Sequence, residues 1–94
     1  MSVRVKVPTI LRGTVGGEPV VSIEVDGGRS LRDVLNDLEH RYPGFASSIV
    51  DEDGGLHRFV NLYVNGEDVR YLGSLETEVS DGDTVAILPA VAGG

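Results

Sequence analysis

Polar and apolar residues alternate along two stretches near the start of the chain, which is the period of a β-strand with one buried face. The first stretch spans residues 3–8 and the second, PVVSIEV, spans residues 19–25. Pro8 has no N–H for a strand ladder, so we expect the first strand to end there. Three glycines between residues 12 and 17 predict a turn that joins the two strands into a hairpin.

The next pattern is that of an amphipathic helix. Ser30 is a suitable N-cap, and Asp33 three residues later completes a variant of the capping box. Pro43 and Gly44 predict the end of the helix. The apolar positions that recur at i, i+3, i+4, i+7 and i+11, and so line one face, are Leu31, Val34, Leu35, Leu38 and Tyr42.

Strands return in the second half, after a short turn predicted over residues 45–50. Asn65 and Gly66 separate two strand-like runs and predict a type I′ hairpin. Residues 81–83 predict another turn, and TVAILP at residues 84–89 predicts the last strand. The order β, β, α, β, β, β predicts an α+β fold of the β-grasp type, with a mixed sheet of four to five strands and one main helix across one face.

Composition limits the function classes. A chain of 94 residues with 40% hydrophobic content suits one domain over residues 1–94 that needs no metal or disulfide support. No apolar run is long enough for a signal peptide or membrane span, so we expect a cytoplasmic protein without membrane contact. A net charge of −7 disfavours nucleic acid as a partner. The lack of cysteine excludes disulfides, thiolate metal sites and thiol catalysis.

The last residues, 89–94, form the segment PAVAGG, which has neither alternation nor charge. We therefore expect a flexible tail after the last strand. A glycine pair allows the backbone to pass a narrow channel, because glycine has no Cβ. A terminal carboxylate, with an ordinary pKa of about 3.5, is ionised at neutral pH and is a poor acyl donor until adenylation supplies a leaving group.

Three segments carry a resemblance to a known family: VPTILR at residues 7–12, LHRFVNLYVNGEDVR at residues 56–70 and DGDTVAILPAVAGG at residues 81–94. With the predicted fold, they make the chain similar to the ubiquitin-like sulfur carriers of the ThiS/MoaD family. The similarity is greatest to the CysO-type carriers of the cysteine pathway.

The resemblance implies a protein cosubstrate and not an enzyme, with no catalytic residue, metal or bound cofactor of its own. An E1-like adenylating enzyme would use ATP and Mg to activate Gly94, which a sulfur source would convert to a thiocarboxylate. A PLP-dependent cysteine synthase, or another acceptor enzyme, would take the sulfur and attach a new cysteine to Gly94. A JAMM-type zinc metalloprotease would release that cysteine. Alone, the carrier would be a monomer.

The resemblance also assigns roles to residues. Leu88, Pro89 and Phe59 would form the partner-binding surface. Leu88 matches an apolar contact position of the molybdopterin-synthase small subunit, whereas Pro8 and Asp68 depart from two others, which argues against a molybdopterin-synthase partner. The residues inserted into partner active sites would be Val91, Ala92, Gly93 and Gly94.

Other functions stay open at this point. The same carrier chemistry serves thiosugar, molybdopterin and thiamine pathways. A ubiquitin-like modifier would instead join Gly94 to lysines of target proteins, and the single lysine of this chain, Lys6, argues only against self-linked chains. A non-covalent interaction module would use neither chemistry.

Four other motifs favour structural interpretations. The acidic residues 51–53 lack the ligand spacing of a calcium loop and predict a solvated turn. His40 and His57 lie in different elements and predict no metal site, with His40 on or near the exposed helix face. Residues 26–28 precede a helix but match no phosphate-binding motif, so they predict a plain loop. Aromatic side chains that we expect to be packed against the sheet are Phe59, Tyr63 and Tyr71.

Overall fold

A five-stranded mixed sheet and one helix build the part of the chain that the computed structural model describes, which comprises residues 2–24, 29–52, 55 and 60–89. The strands are β1 (Ser2–Lys6), β2 (Val20–Glu24), β3 (Arg29–Ser30), β4 (Val60–Val64), β5 (Glu67–Asp68), β6 (Glu78–Val79) and β7 (Thr84–Pro89). The helix is α1 (Leu31–Arg41). Short 3-10 helices cover Thr9–Val15, Ala46–Ser48, Val69–Tyr71 and Ser74–Glu76.

The strand order of the main sheet is β2-β1-β7-β4-β5. β1 pairs with β2 in the predicted antiparallel hairpin and with β7 in parallel. β4 pairs with both β7 and β5 in antiparallel fashion. The first and last strands therefore lie side by side in the middle of the sheet, which is the β-grasp topology that the element order predicted.

The predicted hairpin at Asn65 and Gly66 is confirmed. The side chain of Asn65 also forms hydrogen bonds to the neighbouring turn before β7. Both residues have positive φ, 51° and 89°, as a type I′ turn requires. Asn65 Nδ2 donates to Asp83 Oδ1 at 3.0 Å, and Asn65 Oδ1 accepts from the N–H of Thr84 at 3.0 Å. The asparagine thus fixes the residue at which β7 begins.

The predicted helix and its cap are also confirmed. Ser30 Oγ accepts from the N–H of Asp33, and Asp33 Oδ2 accepts from the N–H of Ser30, both at 3.3 Å. At the other end Gly44 takes a φ of +96°. Glu39 accepts from the N–H groups of Gly44 and Ala46 at 2.8 and 2.9 Å, which closes the turn after the helix.

The core lies between α1 and the inner face of the sheet. Four helix positions of the predicted stripe are buried and Tyr42 packs against the edge of the core. Phe45, Ile49 and Leu75 extend the core from the connecting segments. The fully buried strand residues are Val3, Val5, Leu62, Val79 and Val85. Within the described residues, no helix is long and apolar enough to cross a lipid bilayer.

Thr77 ties the segment before β6 to the helix. Its buried hydroxyl donates to the carbonyl of Ser74 at 2.7 Å and accepts from the N–H of Gly73 at 3.0 Å. Its carbonyl accepts from the N–H of Leu31 at 2.8 Å. The buried hydroxyl and the carbonyl of Thr77 therefore both have hydrogen-bond partners, as is usual for buried polar groups.

Three features differ from the sequence-based expectation. The turn predicted over residues 12–17 is a 3-10 helix, Thr9–Val15, that ends at Gly16 and Gly17. The turn over residues 45–50 contains a second 3-10 helix, and β3 and β6 form an unpredicted two-stranded sheet. Elements of two or three residues have no hydrophobic period to detect, because tertiary contacts and not local pattern stabilise them.

Replacement of Ser30 by alanine should lower the free energy of unfolding by about 1 kcal/mol, because the N–H of Asp33 loses its acceptor at the helix start. Urea denaturation of wild type and variant measures this difference. Ser80, which is exposed and has no side-chain bond among the described contacts, is the matched control. Ser80→Ala should stay within about 0.5 kcal/mol of wild type.

Glu39 predicts a pH dependence of stability. Hydrogen bonds from the N–H of Gly44 and then of Ala46 lower the pKa of Glu39 from its ordinary value of 4.5, with a smaller contribution from His40 and against opposition from desolvation. Since the pKa is lower in the folded state, the charged form stabilises the fold above pH 4.5, and this stabilisation is lost as the pH falls further.

Wild type should therefore have a higher urea midpoint than Glu39→Gln near neutral pH, with the gap closing below pH 4.5. A glutamine oxygen can replace only one of the two carboxylate acceptors. Glu18→Gln is the control, because the Glu18 side chain is exposed. If Glu39→Gln and Glu18→Gln differed from wild type in urea midpoint by the same amount across this pH range, the assignment of the pH dependence to Glu39 would be contradicted.

Candidate functional site

The last residues of β7 are held from one side only. β1 pairs with β7 as far as Lys6, which lies opposite Ala86. In the described sheet, the next three residues of β7 pair with β4 alone, with Leu88 opposite Asn61 and Pro89 opposite Val60. The strand that begins in the centre of the sheet thus ends beyond its neighbour β1, and residues 90–94 follow from that point.

Alternation along β7 divides its side chains between two faces. Val85 and Ile87 are buried under the helix, at 0% and 1% exposure. Leu88 lies on the outer face and is 49% exposed. Because successive strand residues point to opposite faces, an exposed leucine here is a property of the register and not of a disordered end.

We name the end of the sheet formed by Lys6, Val20, Val60 and Pro89 the exit end. The strand register brings these residues together, since β1 and β7 end there while β2 and β4 begin there. The 3-10 helix Thr9–Val15 connects β1 to β2 at this end. Arg70, which follows β5, reaches this end through a hydrogen bond to the carbonyl of Val60.

The described residues include five exposed large hydrophobic side chains, of which Ile10, Val20 and Leu88 lie at the exit end, whereas Tyr71 and Leu72 follow β5. Isolated exposed apolar residues are common, but a group of them at one end of a small protein marks an interaction surface. Burial of such apolar area against a partner would favour binding through the hydrophobic effect. The exposed fractions of the five side chains are Ile10 73%, Val20 43%, Tyr71 88%, Leu72 46% and Leu88 49%.

Basic side chains accompany this apolar group. Lys6 is exposed at the end of β1. Arg12 Nε donates to the carbonyl of Val7 at 3.1 Å, and Arg70 Nη2 donates to the carbonyl of Val60 at 2.9 Å. Although Glu18 adds a carboxylate in the β1–β2 connection, these cations contrast with the net charge of −7. A partner surface that combines apolar and acidic residues would complement the exit end.

Only part of the predicted site falls within the described residues. Leu88 is exposed on the outer face, and Pro89 is the last residue of β7. Phe59 and the four residues expected to enter partner active sites lie outside the described residues, so their roles stay predictions. The division of the chain into one domain over residues 1–94, with a tail over residues 89–94, also stays a prediction. The four residues expected to enter partner active sites are Val91, Ala92, Gly93 and Gly94.

The packing predicted for the aromatic side chains is wrong for Tyr71, which is 88% exposed. The chain leaves β5 at Asp68 and enters the 3-10 helix Val69–Tyr71, so the strand alternation ends before this position. Val69 occupies the buried place instead. Tyr63, on the outer face of β4, is half-buried.

The remaining motifs form no competing site in the described chain. His40 is exposed on α1, and no group of three or more His, Asp or Glu side chains within the described ranges is placed to hold a metal. Asp51 forms a turn with Gly55, accepting its N–H at 3.1 Å and donating to its carbonyl at 2.9 Å. Residues 26–28 and His57 lie outside the described residues.

Sequence reasoning missed Ile10 and Arg70 as members of the exit end. Ile10 lies in a connecting segment without a strand or helix period, so its exposure could not be predicted from the sequence, and Val15 in the same 3-10 helix is buried. The contact of Arg70 with β4 likewise gives no sequence signal, because it depends on how far the chain turns after β5.

Comparison with known proteins yields matches over nearly the whole chain. The ThiS family profile matches residues 5–94. The chain is 52% identical over 96 residues to the sulfur carrier protein CysO of Mycobacterium tuberculosis, with 100% of both proteins covered. It is 39% identical over 80 residues to small archaeal modifier protein 3 of Haloferax volcanii, covering 85% of this chain and 86% of that protein.

Solved structures are also similar to this chain over nearly its whole length. A chain in the crystal structure of the Amycolatopsis orientalis BexX/CysO complex is 52% identical and superposes with a TM-score of 0.85. The superposition covers 98% of this chain and 99% of that chain. The predicted ubiquitin-like β-grasp fold is thereby confirmed.

The alternation along β7 predicts opposite outcomes for two neighbouring residues. Ile87→Ala should lower the free energy of unfolding by about 2–4 kcal/mol, because the buried side chain leaves a cavity. Leu88→Ala should lower it by less than about 1 kcal/mol, since half of that side chain is already in water. Urea denaturation of both variants checks this, and a loss at Leu88 as large as that at Ile87 would contradict the assigned register.

Proposed function

Because the chain belongs to the ThiS family, we propose that it is a sulfur carrier whose Gly94 carboxylate is converted to a thiocarboxylate. Members of this family are small carrier proteins and not themselves enzymes, as the sequence led us to expect. The observation that supports the proposal most is the exit end, where β7 reaches Pro89, its last described residue, near the exposed apolar side chains of Leu88 and Val20.

The proposed chemistry takes place in the active site of an E1-like activating enzyme that uses ATP and Mg. A carboxylate oxygen of Gly94 attacks the α-phosphorus of ATP, and pyrophosphate leaves. Sulfide, or a sulfur atom delivered as its equivalent, then attacks the carbonyl carbon, and AMP leaves. The product is a thiocarboxylate, and adenylation is needed because a free carboxylate has no adequate leaving group.

Two properties of the sequence support storage of sulfur at the terminus. The chain has no cysteine, so no side-chain thiol competes as a site for a persulfide. The glycine pair at residues 93 and 94 has no side chain that would collide with a narrow channel. The carrier then contributes presentation of its terminus, and the partner enzymes contribute the catalytic groups.

Docking of the carrier would use the exit end. The exposed side chains of Leu88, Val20 and Ile10 offer apolar contact area, and Lys6 offers a charge that an acidic rim on a partner would meet. A related CysO has been crystallised in a complex with BexX, which supports the view that carriers of this fold bind partners stably enough to isolate. The roles of Pro89 and Phe59 at this surface belong to the same proposal.

For the acceptor we propose a PLP-dependent cysteine synthase in the cytoplasm. The full-length similarity to a CysO supports this choice over thiosugar, molybdopterin or thiamine pathways. The thiocarboxylate sulfur would bond to the β-carbon of a substrate derived from phosphoserine, and an acyl shift to the amine would leave cysteine attached to Gly94. A JAMM-type zinc metalloprotease would hydrolyse that bond.

A second candidate function is protein modification. The similarity to small archaeal modifier protein 3 favours it, and the activation chemistry is shared, so only the acceptor of Gly94 differs. Mass spectrometry of tryptic digests from cells would identify residues 71–94 as a branch on target lysines, because Arg70 is the last trypsin cleavage site of the chain. The absence of this branch in cells that contain the thiocarboxylate would leave the carrier function alone.

Removal of Gly93 and Gly94 should abolish activation without affecting the fold, because all strand pairs of β7 within the described residues remain in the truncated chain. Adenylation is measured as carrier-dependent exchange of labelled pyrophosphate into ATP by the activating enzyme. The truncated protein should give background exchange only, with the urea midpoint of wild type. Exchange at the wild-type rate, or growth without added cysteine on the truncated carrier, would sink the proposal.

Tags provide the matched control for this truncation. A tag after Gly94 removes the free carboxylate and should abolish exchange. The same tag before Met1 leaves the carboxylate intact and should preserve exchange within about twofold. Equal activity of the two tagged forms would show that the terminal carboxylate is not the group activated.

A further inference from the structure

Arg70 binds two acceptors at the start of β4. Nη1 donates to Asn61 Oδ1 at 2.6 Å, and Nη2 donates to the carbonyl of Val60 at 2.9 Å. The planar guanidinium has two donors in a fixed fork, so it can bond to both at once. A lysine ammonium would have one nitrogen to share between them.

The backbone from which Arg70 reaches β4 is itself fixed. Asp68 Oδ1 accepts from the N–H of Arg70 at 2.9 Å, which caps the 3-10 helix Val69–Tyr71. Asp68 is in turn paired with Tyr63 of β4, and Val69 is fully buried. The guanidinium therefore extends from a short, anchored segment, and less side-chain entropy is lost in holding it against β4 than a mobile loop would require.

The two acceptors are the residues that hold the end of β7. Val60 lies opposite Pro89, and Asn61 lies opposite Leu88. In the described sheet β1 gives these positions no support, because its pairing with β7 ends at Ala86. The stability of the last pairs of β7 thus depends on β4, and Arg70 bonds to β4 at those positions.

We propose that Arg70 is a positioning residue that sets where, and in which direction, the C-terminal residues leave the sheet. It acts through Val60 and Asn61 and not by touching the reacting carboxylate. Its consequence for activation rests on the proposed carrier function, whereas its effect on the end of β7 is a property of the isolated protein. A defined starting point for residues 90–94 would raise their effective concentration in a docked partner's active site.

The first test uses the isolated carrier and amide hydrogen exchange. In Arg70→Ala, amides of residues 60–62 and 86–88 should exchange about tenfold faster than in wild type, because the exit end opens locally. Amides of residues 64, 84 and 85, at the other end of the same strand pair, should keep their rates. Accelerated exchange at both ends would show a global loss of stability and would overturn the proposal.

Variants of the two partners sharpen this test. Arg70→Lys should exchange faster than wild type, since the ammonium lacks the planar fork in which two separate nitrogens bond to the two acceptors. Asn61→Asp, which keeps the acceptor oxygen, should retain slow exchange at residues 86–88. Arg32→Ala is the control, because Arg32 pairs with Glu76 at 2.7 Å on the helix side of the molecule, and it should leave the exit end unchanged. Unchanged exchange in Arg70→Ala would overturn the proposal.

The second test separates positioning from direct contact with a partner. With the activating enzyme, Arg70→Ala should lower kcat several-fold at nearly unchanged KM. The folded part of the carrier still docks, but Gly94 is correctly placed in the enzyme's active site in fewer of the complexes. Leu88→Ala, in contrast, should raise KM at nearly unchanged kcat. A rise in KM alone for Arg70→Ala would make Arg70 a contact residue and refute positioning. If wild type is not a substrate, the carrier function fails, and the exchange test still decides the positioning claim.

Discussion

The pairing of β7 between β1 and β4 is the constraint on which the rest of this structure depends. It places the last strand of the chain in the centre of the sheet, so Val85 and Ile87 are buried beneath α1. The same register turns Leu88 outward and carries the chain past the end of β1. The buried core positions of β7 and the exposure of Leu88 thus arise from one set of backbone hydrogen bonds.

In the proposed function, the folded part of the protein and its terminus have separate roles. The folded part offers the exit end, where exposed apolar side chains lie beside Lys6, Arg12 and Arg70. The terminus offers a carboxylate on a glycine pair. Selectivity among partner enzymes would then reside in the surface around β7, while the reacting group stays the same for every partner.

Much of the fold was accessible from the sequence, because its signals are local. The spacing of apolar residues and the Ser30 cap gave the helix, and Asn65 with Gly66 gave the second hairpin. The 3-10 helices, the β3–β6 pair and the exposure of Tyr71 were not accessible, since each depends on where distant segments meet. The contact between Arg70 and Asn61 is of the same kind: neither residue alone indicates that a guanidinium will reach across to another strand.

The most direct test of the account is the intact mass of the untagged protein after incubation with an adenylating enzyme from the same organism, ATP, Mg and sulfide. The account predicts a gain equal to the exchange of one oxygen for one sulfur, and fragmentation should place it at Gly94. An unchanged mass with an enzyme of demonstrated activity, or a gain placed at any other residue, would contradict it.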